Sequence, residues 1–157
     1  MKKLQWDLNL NLADNARVQL PAMAAELFAE GRKAARPSAS AGSLHRFRLS
    51  VKAMRYTLEL FRPLYGPGLE ARLKKLRRLQ DILGAISDYQ STLELVEDKL
   101  PRNSQLRINL ARMLQERIRR KRSEFRRCWS EEFDAEGEEA RWRRYLARPR
   151  KMAEPAA

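Results

Sequence analysis

The fold is decided by the stretch LHRFRLSVKAMRYTLELF, residues 44–61. Its apolar residues recur three and four positions apart, the spacing typical of one buried face of an α-helix. This apolar face consists of Leu44, Phe47, Val51, Met54, Leu58 and Phe61. The stretch therefore predicts a helix that packs one side into a bundle.

Proline, glycine and serine divide the rest of the chain into three further helices. Breaks occur at RPSASAGS, residues 36–43, and at PLYGPG, residues 63–68. A first helix is expected from an N-cap at Asp14 to Arg36, and a third from Leu69 to Leu100, where Gly84 marks a bend or a close helix contact. A fourth helix is expected over residues 104–133, with the inward residues Leu106, Leu110, Met113, Leu114, Ile118, Phe125 and Trp129.

Four helices with short connections predict an all-α fold, an antiparallel four-helix bundle with long helices. We expect one domain over residues 1–157, with its core at about 14–133. Residues 134–157 continue as a tail that is first acidic and then basic, and its two parts either pair with each other or remain flexible.

The composition limits the partners that this chain can bind. Its 33 Lys and Arg exceed its 20 Asp and Glu, which gives a net charge of +13 and a pI of about 10.6. A polyanion is therefore the expected partner.

A single cysteine, Cys128, excludes an internal disulfide and fits a reducing compartment. No apolar run approaches membrane-spanning length, so no membrane is expected and the cytoplasm is the expected location.

A row of cationic side chains lies beside the apolar face of the second helix. It comprises His45, Arg48, Lys52 and Arg55, each directly after an apolar-face residue. Like charges at this spacing repel one another, and Glu59 is the only acid three or four positions from any of them. The row therefore needs a compensating charge, which a chain of phosphates would supply.

Cations of the third and fourth helices are expected to line the same groove. Lys74 and Arg77 follow apolar positions as the row does, and Arg78 lies on the other flank within reach of neighbouring surface. The predicted anion site therefore comprises His45, Arg48, Lys52, Arg55, Lys74, Arg77, Arg78, Arg112, Arg119 and Arg126. The alternative is that basic stripes only cover the core with their aliphatic stems, and for the fourth helix alone that interpretation is favoured.

The sequence gives no positive sign of catalysis. One histidine and one cysteine cannot assemble a standard zinc or haem site. There is no glycine-rich phosphate loop and no serine in a nucleophile-elbow context. We therefore expect neither an enzyme nor a cofactor.

Two motifs resemble those of the CHAD family, the conserved histidine α-helical domains. The first is HRFRLSVKAMRYTLELF, which matches at the basic row and Tyr56, and the second is LKKLRRLQDILGAISDY, residues 73–89. In the second motif the matching residues are Lys74, Arg77, Arg78, Leu79, Leu83, Gly84 and Asp88. The resemblance implies a helical, non-catalytic module that binds inorganic polyphosphate in a basic channel and directs proteins to polyphosphate granules.

The resemblance covers one half of the usual family domain, which contains two four-helix repeats. The length here suits a single repeat, so either one half suffices or a homodimer rebuilds the double bundle. Two other functions stay open. A nucleic-acid binder fits the charge equally well, although Tyr56 and Tyr65 alone offer aromatic stacking near the row. The third is a scaffold or protein-interaction bundle that binds acidic partners or its own acidic tail at residues 131–139.

Overall fold

The computed structural model describes residues 7–150. Within this range the prediction of an all-α protein is confirmed, because the chain forms only helices and turns. The elements are α1 Leu12–Ala34, α2 Ala41–Leu60, a 3₁₀ turn Arg62–Leu64, α3 Gly68–Lys99, α4 Gln105–Glu132 and α5 Glu138–Leu146. Residues 1–6 and 151–157, the ends of the expected domain and tail, lie outside the described residues.

Side-chain caps fix the starts of α1, α2 and α4. Asn11 Oδ1 accepts a hydrogen bond from the Asp14 backbone N–H at 2.9 Å, and Ser40 Oγ accepts one from the Ser43 N–H at 3.1 Å. Ser104 caps α4 in the same way. The expected cap at Asp14 is wrong, because this residue lies inside the first turn of α1. There its carboxylate interacts favourably with the positive end of the helix dipole.

The α2 apolar face lies at the centre of the core. All six of its residues are buried, as their spacing predicts. The helix packs against α1 on one side and α3 on the other, and α3 packs in turn against α4. The order of contacts is that of a bundle whose consecutive helices are neighbours.

Large aromatic rings fill the space between α1, α2 and the end of α4. The Trp129 ring stacks on Phe133 with centroids 5.1 Å apart and meets Phe47 edge-on at 5.4 Å. On α1 it lies directly over Gly31, where a Cβ would stand 2.0 Å from a ring carbon. A glycine inside α1 is therefore required by close packing and not by a turn.

The charged C-terminal segment forms α5 and completes the core. Trp142 and Leu146 are fully buried, so the core extends past residue 133, its expected limit. The Tyr65 hydroxyl donates to the Leu146 carbonyl at 2.7 Å, and the guanidinium of Arg72 stacks on Tyr145 at 3.8 Å. Local acid–base pairing also occurs, with Glu138 to Arg141 and Glu139 to Arg143.

The ends of α3 and α4 that meet at residues 100–104 form a hairpin with little covering. No residue from 87 to 113 is buried. Leu106 and Met113 are 58% and 44% exposed, so their predicted inward position is wrong. The α3 helix runs without a break through Gly84, and a Cβ there would meet nothing within 4 Å. The expected close contact at Gly84 is therefore also wrong.

Candidate functional site

The cationic row His45, Arg48, Lys52 and Arg55 lies on α2 and is called the α2 row below, and its first three members remain available to a ligand. His45 is exposed, and Arg48 and Lys52 are half-buried beside the core. Among residues 7–150, neither Arg48 nor Lys52 forms an ion pair, and Arg48 Nε is shielded from solvent without an acceptor for its N–H. A shielded guanidinium N–H is costly to leave unpaired, by about 1–3 kcal/mol or more for a charged group. The remaining guanidinium nitrogens of Arg48 and the ammonium group of Lys52 are not shielded in this way and have no ion pair among residues 7–150, so these groups are suited to pair with an anion.

Arg55, the last member of the row, is held by its own chain. Its Nε donates to Gln80 Oε1 at 2.8 Å, and its Nη1 donates to Glu59 Oε1 at 2.6 Å. The guanidinium also lies 4.1 Å from the ring centroid of Tyr56. With 14% of its side chain exposed, Arg55 is fixed at the contact between α2 and α3, and Glu59 compensates its charge.

A shared carboxylate brings together the end of α2 and the start of α3. Glu70 accepts from Arg62 through one oxygen and from Arg77 through the other, both at 2.9 Å. Two guanidinium groups and one carboxylate leave a net positive charge at this point. Lys74 lies four residues after Glu70 and three before Arg77, exposed and without an ion pair in the described range.

Arg78 faces a different neighbour from Arg77. Its guanidinium pairs with Glu132 at the end of α4. Lys75, on the same flank, pairs with Glu138 of α5 at 2.6 Å and donates to the Glu132 carbonyl at 3.1 Å. The structure therefore places Arg78 away from the α2–α3 surface, the surface formed by the α2 row with Lys74 and Arg77.

The α4 arginines are also away from the α2–α3 surface. Arg119 pairs with Glu116 of its own helix, and Arg112 is exposed without an ion pair among the described residues. Arg119 and Arg126 line a cavity whose opposite wall includes Glu97 of α3. Glu97 follows Arg77 by 20 residues, which is about 200° around a helix of 3.6 residues per turn. The cavity is thus on the other side of α3.

Apart from the imidazole of His45, the donors of the α2–α3 surface are guanidinium and ammonium groups, which pair with phosphate or carboxylate oxygens. Within residues 7–150 there is no cluster of three histidine, cysteine or acidic side chains that could hold a metal ion. In the same range, no helix is both long and apolar enough to span a membrane.

Two residues of this surface were absent from the predicted site. Arg62 joins it through Glu70, and Gln80 joins it by fixing Arg55. Arg62 extends the α2 row by one further step of seven residues from Arg55, which is a signal that the sequence contains. No sequence signal marks Gln80, because its role depends on how α3 lies against α2.

A model of a known protein family matches the part of the chain that carries the α2–α3 surface. The family model described as CHAD domain matches residues 3–97, which is more than half of the chain. The match includes α1, α2 and nearly all of α3, with every cation of the α2–α3 surface, and it ends before α4. Searches of curated proteins and of solved structures found no match.

Proposed function

The chain belongs to the CHAD domain family, and from this premise we propose that it binds inorganic polyphosphate, without catalysis, on the α2–α3 surface. CHAD domains are associated in general with polyphosphate binding. The observation that carries the proposal is the pair Arg48 and Lys52, adjacent on α2 and without ion pairs in the described part of the chain. An extended phosphate chain supplies the acceptors that these donors lack.

The proposed footprint follows the cations of α2 and α3. Arg48 supplies a forked donor to phosphate oxygens, and Lys52 and Lys74 supply point charges. Arg77 must leave Glu70 in part, which costs little because exposed ion pairs are worth about 0–1 kcal/mol. Arg55 acts mainly by position, because it holds the row against α3. His45 lies at the open end of the footprint.

The footprint proposed here is smaller than the site predicted from the sequence. Arg78 is engaged by Glu132, and Arg119 and Arg126 share a cavity with acidic side chains. Arg112 is exposed on α4, outside the α2–α3 surface. These four arginines do not contact the bound polyphosphate. They contribute to the overall positive electrostatic field, which speeds the approach of a polyanion.

The proposal extends to association with polyphosphate granules and with a second copy of the chain. The hairpin at residues 87–113 supports the second copy, since Leu95, Leu106, Ile108 and Met113 are all at least 42% exposed. Leu106 and Met113 are seven residues apart and therefore lie on the same face of α4, where they form an exposed apolar stripe that favours an interaction surface. Light scattering tests this part: the wild-type protein should have the mass of a dimer, and L106Q with M113Q should have that of a monomer.

A competition experiment separates polyphosphate binding from nucleic-acid binding. Tyr56 is exposed, and Arg55 covers one face of its ring, so this tyrosine can offer only its other face to a stacking base. Labelled long-chain polyphosphate should stay bound when RNA or DNA is added at equal phosphate concentration and ionic strength. Displacement by either nucleic acid would instead favour the nucleic-acid function.

The salt dependence of binding provides a second readout. If about six phosphates are neutralised, the logarithm of the binding constant should fall with the logarithm of salt concentration with a slope of about −4, as for single-stranded nucleic acid. A slope near zero would contradict phosphate pairing.

A further inference from the structure

A cavity of about 590 Å³ lies between the α1–α2 connection, the second half of α3 and the middle of α4. Its two helical walls carry opposite charges. The α4 wall presents Arg119, Arg122 and Arg126, and the α3 wall presents Glu94 and Glu97. Volumes of about 300–1,000 Å³ are typical of small-molecule sites.

The charges on the two walls are not paired across the cavity. Arg119 pairs with Glu116 of its own helix, and the guanidinium of Arg122 donates to the Ala39 carbonyl. Arg126, Glu94 and Glu97 form no ion pair with any residue in the 7–150 range. The cavity therefore separates the guanidinium of Arg126 on α4 from the carboxylates of Glu94 and Glu97 on α3.

The floor between the walls is apolar. Leu93 of α3 and Ile118 of α4 are half-buried there, and Pro37 of the α1–α2 connection and Ala41, the first residue of α2, close one side. The cavity therefore has cationic side chains on its α4 wall, anionic side chains on its α3 wall and apolar side chains between the two. A short aliphatic chain on this floor would bring its two ends to the two walls.

We propose that this cavity binds a small zwitterion, an aliphatic chain with an anionic group at one end and an ammonium group at the other. The anionic end pairs with Arg126 and Arg122, and the ammonium end pairs with Glu94 and Glu97. The same two carboxylates repel a ligand that is anionic along its whole length. The site is therefore distinct from the α2–α3 surface and does not depend on polyphosphate binding there.

Isothermal titration of the full chain with aminohexyl phosphate, hexyl phosphate and hexylamine tests the proposal. Aminohexyl phosphate should bind about tenfold more tightly than hexyl phosphate or hexylamine, which each carry a charged group at one end only, because it alone engages both walls. Glu94→Gln with Glu97→Gln should abolish the preference for the added ammonium group. Arg126→Gln should weaken both phosphate-bearing probes.

The control is Arg112→Gln, which removes an exposed arginine of α4 that does not line the cavity and should leave all three affinities unchanged. Thermal melts of each variant establish that the fold is retained, and Glu97→Gln alone provides a milder test of the anionic wall. The proposal is overturned if the wild-type protein shows no saturable binding of aminohexyl phosphate. It is also overturned if hexyl phosphate binds equally well, or if the double glutamine variant keeps the preference.

Discussion

Arg55 Nε donates a hydrogen bond to Gln80 Oε1 at 2.8 Å, and this contact joins the basic row of α2 to α3. The same guanidinium reaches Glu59 at 2.6 Å and covers Tyr56. Glu59 and Tyr56 hold the guanidinium in place on α2, and Gln80 joins it to α3, so the position of the row relative to Lys74 and Arg77 is set before any ligand arrives. Preorganisation of this kind lowers the entropy that a bound anion must overcome.

Replacement of Arg55 by lysine tests this role. Lysine keeps the charge but cannot reach Gln80 and Glu59 together, so the free energy of unfolding should fall by about 1 kcal/mol. Urea denaturation measures the change. Arg102→Lys, an exposed position without an ion pair in the described part of the chain, is the matched control and should change stability by less than about 0.5 kcal/mol. Equal stability of the two variants would contradict the role given to Arg55.

Two glycines inside helices should respond in opposite directions to alanine. At Gly31 the new Cβ would stand 2.0 Å from the buried indole of Trp129, and overpacking of this kind costs about 1–3 kcal/mol. At Gly84 the Cβ meets nothing within 4 Å, so alanine should stabilise α3 by up to about 1 kcal/mol through helix propensity. Thermal or urea denaturation of both variants measures the difference. A stabilised Gly31→Ala variant would show that Trp129 does not pack against α1 as described.

Glu138 should make the docking of α5 dependent on pH. Burial acts to raise the pKa of its carboxyl, but hydrogen bonds from Lys75, Arg141 and Trp142 outweigh it and hold the pKa below its ordinary value of 4.5. A depressed pKa in the folded state adds stability above the unfolded pKa, and this stability is lost as pH falls through the folded pKa.

Glu138→Gln should therefore lower the free energy of unfolding at pH 7 by about 1.5–3 kcal/mol, the range for hydrogen bonds to a charged group. The difference in the free energy of unfolding between this variant and the wild type, the stability gap, should narrow progressively as the pH falls below 4.5. Urea denaturation between pH 7 and pH 3 follows the gap. A gap that stays constant with pH would mean that the carboxylate charge is not what secures α5.

The spacing of apolar residues correctly predicted which side chains are buried where a helix has neighbours on both sides. The six apolar positions of α2 are all buried, because α1 and α3 flank the helix along its length. The same pattern failed at Leu106 and Met113. Periodicity shows that a helix carries an apolar stripe, but only the tertiary arrangement determines whether another element covers that stripe.

The candidate site was predictable in part for a similar reason. Adjacent residues of a helix point about 100° apart, so Arg77 and Arg78 reach different neighbours even though both belong to one basic run. Their partners, Glu70 and Glu132, are 62 positions apart in sequence. The role of α5 was hidden by its charges, although Trp142 and Leu146, four residues apart, carried the helical spacing of a buried face.

The most direct test of polyphosphate binding on the α2–α3 surface compares two double variants with the same change in net charge. Arg48→Glu with Lys52→Glu alters the α2 row, and Arg102→Glu with Lys99→Glu alters the tip of the α3–α4 hairpin, where both side chains are exposed. Affinity for long-chain polyphosphate is measured by titration at one ionic strength. We predict that the row variant loses affinity at least about tenfold more than the hairpin variant, because it removes direct phosphate pairs and not only long-range attraction. An equal loss in the two variants, or full binding by the row variant with an intact fold, would contradict the proposal.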